Sequence, residues 1–206
     1  MKNIKFLTLA AAVAVATGCA TMSSQEELHA GAVAMLKASF KEHGQAKLTR
    51  LDQDEVQRIC SKYRGQPIPK DVTQRIEKEE LAKIKFPADG NYMGDWKAGE
   101  KIAQTGVGMQ YSDDPATPTG GNCYACHQLT KAELSFGTIG PTLYNFGKLR
   151  GFTADMQKYA YGRVYNPEAY SACTEMPRFG HSGILSEKQI KDVVALLMDP
   201  ESPVNK

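Results

Sequence analysis

Cys123-Tyr124-Ala125-Cys126-His127 constrains this chain more than any other stretch. Two thiols separated by two residues, with an imidazole directly after, make the C-x-x-C-H pattern of covalent haem attachment. The spacing matches the distance between the two vinyl edges of a porphyrin. Each thiol can therefore add across one vinyl group, and His127 then falls under the iron. The competing readings are a redox dithiol and half of a zinc site. A dithiol rarely carries histidine directly after its second cysteine. A zinc site needs a second Cys/His pair at short spacing, which this sequence lacks. The expectation is one haem c, held covalently by Cys123 and Cys126, with His127 as a metal ligand.

The chain has 206 residues and a net charge of +2, so the charge balance offers no argument for a polyanion partner. Its N-terminus reads as a targeting segment. Lys2 and Lys5 precede a short apolar run, Phe6 to Ala16, too short to span a bilayer as a stable helix. The run ends in Ala16-Thr17-Gly18-Cys19, which resembles a bacterial lipobox and makes Cys19 a candidate for lipidation. Ala16 stands where that pattern usually has Leu, and simple cleavage nearby, for example after Ala20, is the alternative. Both place the chain outside the cytoplasm, in the periplasm, with lipid anchoring as an option. Of the five cysteines, lipid would take one and haem two, which leaves Cys60 and Cys173. In an oxidising compartment the even pair is expected to form a disulfide; the alternative is that one of them bonds a partner chain.

The boundaries follow from texture: residues 1–19 as signal segment, 20–90 as a helical extension, 91–200 as the haem domain, 201–206 as a frayed tail. In the extension, Ser24 with Glu27 is a capping box, followed by Leu28, Val33, Leu36 and Phe40 at near-helical spacing. A second helix starts within Asp52–Glu55 and carries Val56, Ile59 and Tyr63, with Cys60 near its end. A third runs from Pro69 or Lys70 to about Ile84, with Val72, Ile76 and Leu81 inward. The charged run Glu77 to Lys85 reads as a solvated face. His29 and His43 read as helix-surface residues, with haem or metal ligation as the minor alternative. Pro87-Ala88-Asp89-Gly90 is turn chemistry.

Beyond it a helix begins near Asp95. Its Trp96, the only tryptophan, is expected to pack against the last helix. A Gly-rich loop, Thr105 to Gly121, leads to the haem motif. Gly140-Pro141-Thr142-Leu143 follows. A metal-bound imidazole needs an acceptor for its other ring N–H, and the segment's resemblance to the Gly-Pro-x-Leu stretch of class I cytochromes c implies the Pro141 carbonyl. Leu143 and Tyr144 are candidates to wall the haem. Gly147 to Gly151 reads as a tight loop, where Arg150 and Lys148 either offset propionate charge or are plain surface cations. A helix spans 153–164 from an N-cap at Thr153, and Asn166-Pro167 ends it. Met176-Pro177 lies in a loop before the last helix. A thioether sixth ligand favours Fe(II), and Met176 is the candidate, its loop stiffened by Pro177. His181 is its rival, and Phe179 a candidate pocket residue. Ser186 caps the last helix, which buries Ile190, Val193, Val194, Leu196 and Leu197. No stretch alternates with period two, so the fold class is all-α.

This order of helix, C-x-x-C-H, Gly-Pro-x-Leu, Met loop and helix resembles the class I cytochrome c fold, here with an α-helical N-terminal extension. Cys123-x-x-Cys126-His127, Gly140-Pro141-x-Leu143, Asn166-Pro167, Met176-Pro177-x-x-Gly180 and Leu185-x-x-x-Gln189-Ile190-x-Asp192 together resemble SoxX, the monohaem subunit of the SoxAX cytochrome of bacterial sulfur oxidation. The segment around Asp54-Glu55-Val56-Gln57-Arg58-Ile59-Cys60 resembles the extension of longer members. The resemblance implies a SoxA-like haem subunit as partner, on which thiosulfate is joined to a cysteine of a SoxYZ-like carrier. It also implies an acceptor cytochrome. This chain would then be a redox subunit of a thiosulfotransferase-type enzyme without holding its reactive site. Two alternatives stand beside it: a free-standing monohaem shuttle, and a haem protein with an open iron position.

Overall fold

Most helix starts among the described residues are set by side-chain caps. A computed structural model describes residues 24–206, so Cys19 and the targeting segment lie outside the described residues. Among these there are seven α-helices: α1 (Gln25–Ser39), α2 (Glu55–Lys62), α3 (Lys70–Ala82), α4 (Trp96–Gln104), α5 (Phe146–Arg150), α6 (Ala154–Tyr165) and α7 (Glu187–Met198). Four 3-10 turns join them, at Leu48–Leu51, Cys123–Ala125, Pro167–Ala169 and Pro203–Asn205. The described residues contain no strand, only an isolated bridge between His43 and Ala46. The fold is the expected all-α class I cytochrome c.

Asp54 and Gln57 cap α2 reciprocally, and Ser186 and Gln189 do the same for α7. Asp95 accepts from Lys97 N–H at α4, and Thr153 from Met156 N–H at α6. Each cap satisfies amide groups that the first helical turn leaves without partners.

The chain divides after Ser39. Helix α1 has its Ser24–Glu27 capping box and buries none of its residues. Phe40 to Lys206 forms the second unit, in which the extension and the haem-motif half pack together. Its centre is the crossing of α4 and α7. Gly99 lets the backbones touch: a Cβ there would stand 2.1 Å from the Asp192 carbonyl oxygen. Around the crossing, Ile102, Ala103, Ile190, Val193, Val194, Leu196 and Leu197 are buried. Each fully buried aliphatic contributes on the order of 1.5–3 kcal/mol. Asp192, itself buried, accepts from Asp95 N–H at 2.9 Å and from Lys188 Nζ at 2.7 Å, which ties the start of α4 to α7.

An aromatic group fastens the segment after α3 to α6. The Tyr92 and Tyr161 rings lie 5.6 Å apart, with Phe86 6.1 Å from Tyr161, and the Tyr161 hydroxyl donates to the Lys85 carbonyl at 3.2 Å.

Several expectations need correction. Leu81 is exposed, and the position buried one turn beyond Ile76 is Glu80, with no exposed area. Leu81 lies roughly 140° around the helix from Ile76, so the Glu77–Lys85 run is not wholly a solvated face. Trp96 is half-buried and stands outside the buried cluster; the buried positions of α4 are Gly99, Ile102 and Ala103. The segment expected as a tight loop is α5. The tail is not frayed: Ser202, Val204 and Asn205 are buried. Asn205 Oδ1 accepts from Gly147 N–H at 3.0 Å, and its Nδ2 donates to the Leu197 and Asp199 carbonyls at 3.0 and 2.9 Å.

Candidate haem-binding site

Gly120 and Gly121 bring the chain back against α4. Their amides donate to Val107 and Ile102 carbonyls, each at 2.8 Å. Asn122, in the left-handed region at φ 47°, then turns it into the short helix Cys123–Ala125. His127 N–H donates to the Cys123 carbonyl at 2.9 Å, so the two thiols and the imidazole share one tight turn. The Tyr124 side chain is buried behind that turn, and its hydroxyl donates to Glu100 Oε1 of α4 at 3.1 Å. Burial pushes this phenol up to about 12.

His127 is oriented by the next segment. Its Nδ1–H donates to the Pro141 carbonyl at 2.7 Å, which leaves Nε2 as the ring's free lone pair. The segment is itself pinned to the motif. Gly137 N–H donates to the Tyr124 carbonyl at 2.8 Å, Gly140 N–H to the Cys126 carbonyl at 2.9 Å, and Leu143 N–H to the Gln128 carbonyl at 2.8 Å. Gly140 is required there: a Cβ would fall 2.1 Å from Cε1 of the His127 ring.

Cys123 and Cys126 are unpaired thiols, whereas Cys60 and Cys173 are joined, with Cα atoms 5.3 Å apart. Burial pushes the Cys123 thiol up to about 12. Redox dithiols and zinc sites need a thiolate, which lowered values favour; a sulfur held neutral suits a thioether. Among the described residues no cluster of three or more His, Cys, Asp or Glu side chains could hold a metal ion. The donor set, the oriented imidazole and the glycine beside it fit haem c.

Met176 is half-buried and packs against the core, on the segment between Cys173 and the buried Phe179. His181 is turned to the extension, with Nδ1 4.0 Å from Glu80 Oε2 and Nε2 3.4 Å from Arg178 Nη1. Burial and the Arg178 charge hold its imidazole below the ordinary histidine range. Leu143 packs against the core; the Tyr144 hydroxyl donates to the Lys206 carbonyl at 3.0 Å. Arg150 is exposed and lies 5.1 Å over the Phe146 ring, and Lys148 is exposed. His29 is exposed, and His43 Nδ1 donates to the Tyr111 carbonyl at 2.8 Å.

Sequence reasoning missed the polar cluster behind the Met176 segment. Glu80 Oε2 accepts from Asn166 Nδ2 at 2.8 Å, and Oε1 pairs with Lys83 at 2.5 Å. Arg178 pairs with Asp54 at 2.6 Å. A glutamate inside a charged run carries no periodic signal of burial. Arg178, directly after Met176-Pro177, was the only cue.

The Cytochrome c family model matches residues 116–199, the stretch that holds Cys123, Cys126, His127, Pro141 and Met176. A protein of Aquifex aeolicus (strain VF5), named "Uncharacterized lipoprotein", is similar along nearly the whole chain. It is 38% identical over a span covering 97% of this chain and 96% of the relative.

Proposed function

The chain belongs to the cytochrome c family and carries covalent haem c, and from that premise we propose that it is a monohaem electron carrier with its iron held between His127 and Met176. One observation supports this reading above the others: His127 Nδ1–H is already spent on the Pro141 carbonyl at 2.7 Å, so only Nε2 is left for a metal. The single C-x-x-C-H in the sequence supports one haem. Bound haem c supplies a one-electron Fe(III)/Fe(II) couple. The protein's part is to fix, bury and tune. Cys123 and Cys126 provide two thioether links. The Pro141 carbonyl holds the imidazole in one tautomer and raises its basicity. Met176 offers a soft sulfur that favours the reduced state. With His181 turned to Glu80 and Arg178, the methionine is the better sixth ligand. Two protein ligands leave no position for a substrate, so the chain passes electrons and performs no reaction on a bound molecule.

The site of action in this reading is outside the cytoplasm, with Cys19 lipidated. The lipobox-like Ala16-Thr17-Gly18-Cys19 and the lipoprotein name of the Aquifex relative support the anchor.

A second, finer reading is favoured by the surface beside the motif. Leu134 and Ile139 are 90% and 76% exposed on the loop that the Tyr124 and Cys126 carbonyls hold. A lasting partner would cover these two side chains. In that reading the chain is the SoxX-like subunit of a heterodimer. It takes electrons from a SoxA-like haem subunit as thiosulfate is joined to a carrier cysteine, and passes them to a soluble acceptor cytochrome.

The test is purification of the matured protein under mild conditions. A pyridine haemochrome assay is expected to give one haem c per chain, and Met176→Ala to lower the reduction potential and open the ferrous protein to carbon monoxide. A second haem-bearing chain that co-purifies supports the finer reading, and a single-chain mass on gel filtration overturns it. A carbon monoxide response already present in the wild type overturns the closed carrier.

A further inference from the structure

The segment that carries Met176 is fastened to the N-terminal extension on both sides of the methionine. Three residues before it, Cys173 is disulfide-bonded to Cys60 of α2. Cys173 also sits in the left-handed region, at φ 61°, a conformation that only a few per cent of non-glycine residues adopt. Its N–H donates to Glu168 Oε2 at 2.5 Å. Two residues after Met176, Arg178 Nη2 donates to Asp54 Oδ2 at 2.6 Å. Asp54 is the N-cap of the same helix α2. Arg178 is 12% exposed, and its second nitrogen lies 3.9 Å from Glu80 of α3. Helix α3 adds another tie, from Ala172 N–H to Glu77 Oε1 at 3.3 Å. On the haem-domain side the amides of Gly180 and His181 both donate to the Tyr165 carbonyl at 3.0 Å.

Methionine is a flexible side chain and a weak ligand, and a free loop would lose conformational freedom each time the sulfur met the metal. A loop already ordered by bonds elsewhere has lost that freedom beforehand. Here the ordering bonds come from outside the minimal haem domain, and they fall on both sides of Met176.

We propose that Cys60, Cys173, Asp54 and Arg178 are positioning residues: the extension staples the Met176 segment in place and so holds the thioether on the iron. This rests on the reading of Met176 as the sixth ligand. The extension thereby gains a role in tuning the redox site, besides adding bulk to the fold. The disulfide fixes the segment covalently at residue 173, and the largely buried Arg178 fixes the other flank through its charge pair with the part-exposed Asp54.

The test uses full-length matured holoprotein and compares wild type with Cys60→Ser/Cys173→Ser, Arg178→Gln, Arg178→Lys, Asp54→Asn and Met176→Ala. The readouts are the methionine-to-iron charge-transfer band of the ferric protein and the rate of carbon monoxide binding to the ferrous protein. The staple predicts that Met176→Ala abolishes the band. It also predicts that the double cysteine variant and Arg178→Gln both weaken the band and speed carbon monoxide binding by about tenfold, and that Arg178→Lys recovers part of the loss. If those variants lose only thermal stability and keep the wild-type band and rate, the staple is overturned while Met176 remains the ligand. A wild-type protein without the band, with a spectrum unchanged in Met176→Ala, overturns both readings. If the double cysteine variant does not mature, Arg178→Gln and Asp54→Asn decide the question.

Discussion

At the scale of single residues, the site depends on how closely the chain approaches the His127 ring. The imidazole is held from one side by the Pro141 carbonyl, and Gly140 clears the space for that bond. Any side chain at 140 meets a ring atom at 2.1 Å. The ring cannot retreat without giving up the 2.7 Å hydrogen bond to Pro141. Gly140→Ala is therefore expected to lower the yield of covalent haem, read as pyridine haemochrome per chain, and to destabilise the surviving holoprotein by about 1–3 kcal/mol. An unchanged haem yield and thermal midpoint would mean that the segment relaxes freely, and would remove the argument that Pro141 orients the imidazole. Both residues were visible in the sequence as Gly-Pro, but only the carbonyl had a reading. The glycine's role depends on a distance between segments, which no local pattern encodes.

At the scale of elements, what was legible was local. The caps at Ser24, Asp54, Asp95, Thr153 and Ser186 each bond to amides two or three residues away, so spacing alone announces them. The apolar face of α7 was legible for the same reason, because its period is set by the helix itself. What depends on another element was not. Gly99 looks like a helix breaker inside α4, worth roughly 1 kcal/mol against Ala in isolation, yet it is where α7 seats. Gly99→Val is expected to cost about 1–3 kcal/mol by overpacking, measured by chemical denaturation; a neutral result would show that the two helices can slide apart at no cost. The C-terminal residues were misread because their composition is that of a loose end. Asn205 changes that, since its one amide group serves backbone at α5 and at the end of α7. Asn205→Ala takes this partner from the Gly147 amide and the Leu197 carbonyl and is expected to cost about 2 kcal/mol. Truncation before Pro203 should do at least as much harm.

For the whole molecule, part of the junction between the extension and the haem-motif half is made of charge, and that part sets how stability depends on pH. Burial alone would raise the Glu80 carboxyl, but the Lys83 ammonium and the Asn166 amide outweigh it and hold it below the ordinary value. Asp54 behaves alike, with the Gln57 N–H and the Arg178 guanidinium overcoming burial. Glu168 goes the other way: burial raises it, and the Cys173 N–H only partly compensates. His181, facing the same group, is lowered by burial and by Arg178. A group whose folded value lies below its unfolded one binds fewer protons when folded, so its contribution is complete above the unfolded value and drains away as pH falls through the folded one. That is the case for Glu80 and Asp54, below pH about 4, and for His181, below about 6.5. Glu168 has the opposite sign, and its contribution is lost as pH rises through its raised value. The net expectation is stability that declines on acidification in two stages, first through the histidine and then more steeply through the two carboxylates. Glu80→Gln tests the second stage. At pH 7 it leaves the half-exposed Lys83, and an Arg178 still paired with Asp54, beside a neutral amide and should cost about 1–2 kcal/mol. As pH falls the wild-type carboxyl is protonated and comes to resemble the amide, so denaturation free energies of the two holoproteins should converge. A gap that is the same at pH 3 as at pH 7 would mean that Glu80 is not ionised at this junction, and that its contacts, not its charge, join the two halves.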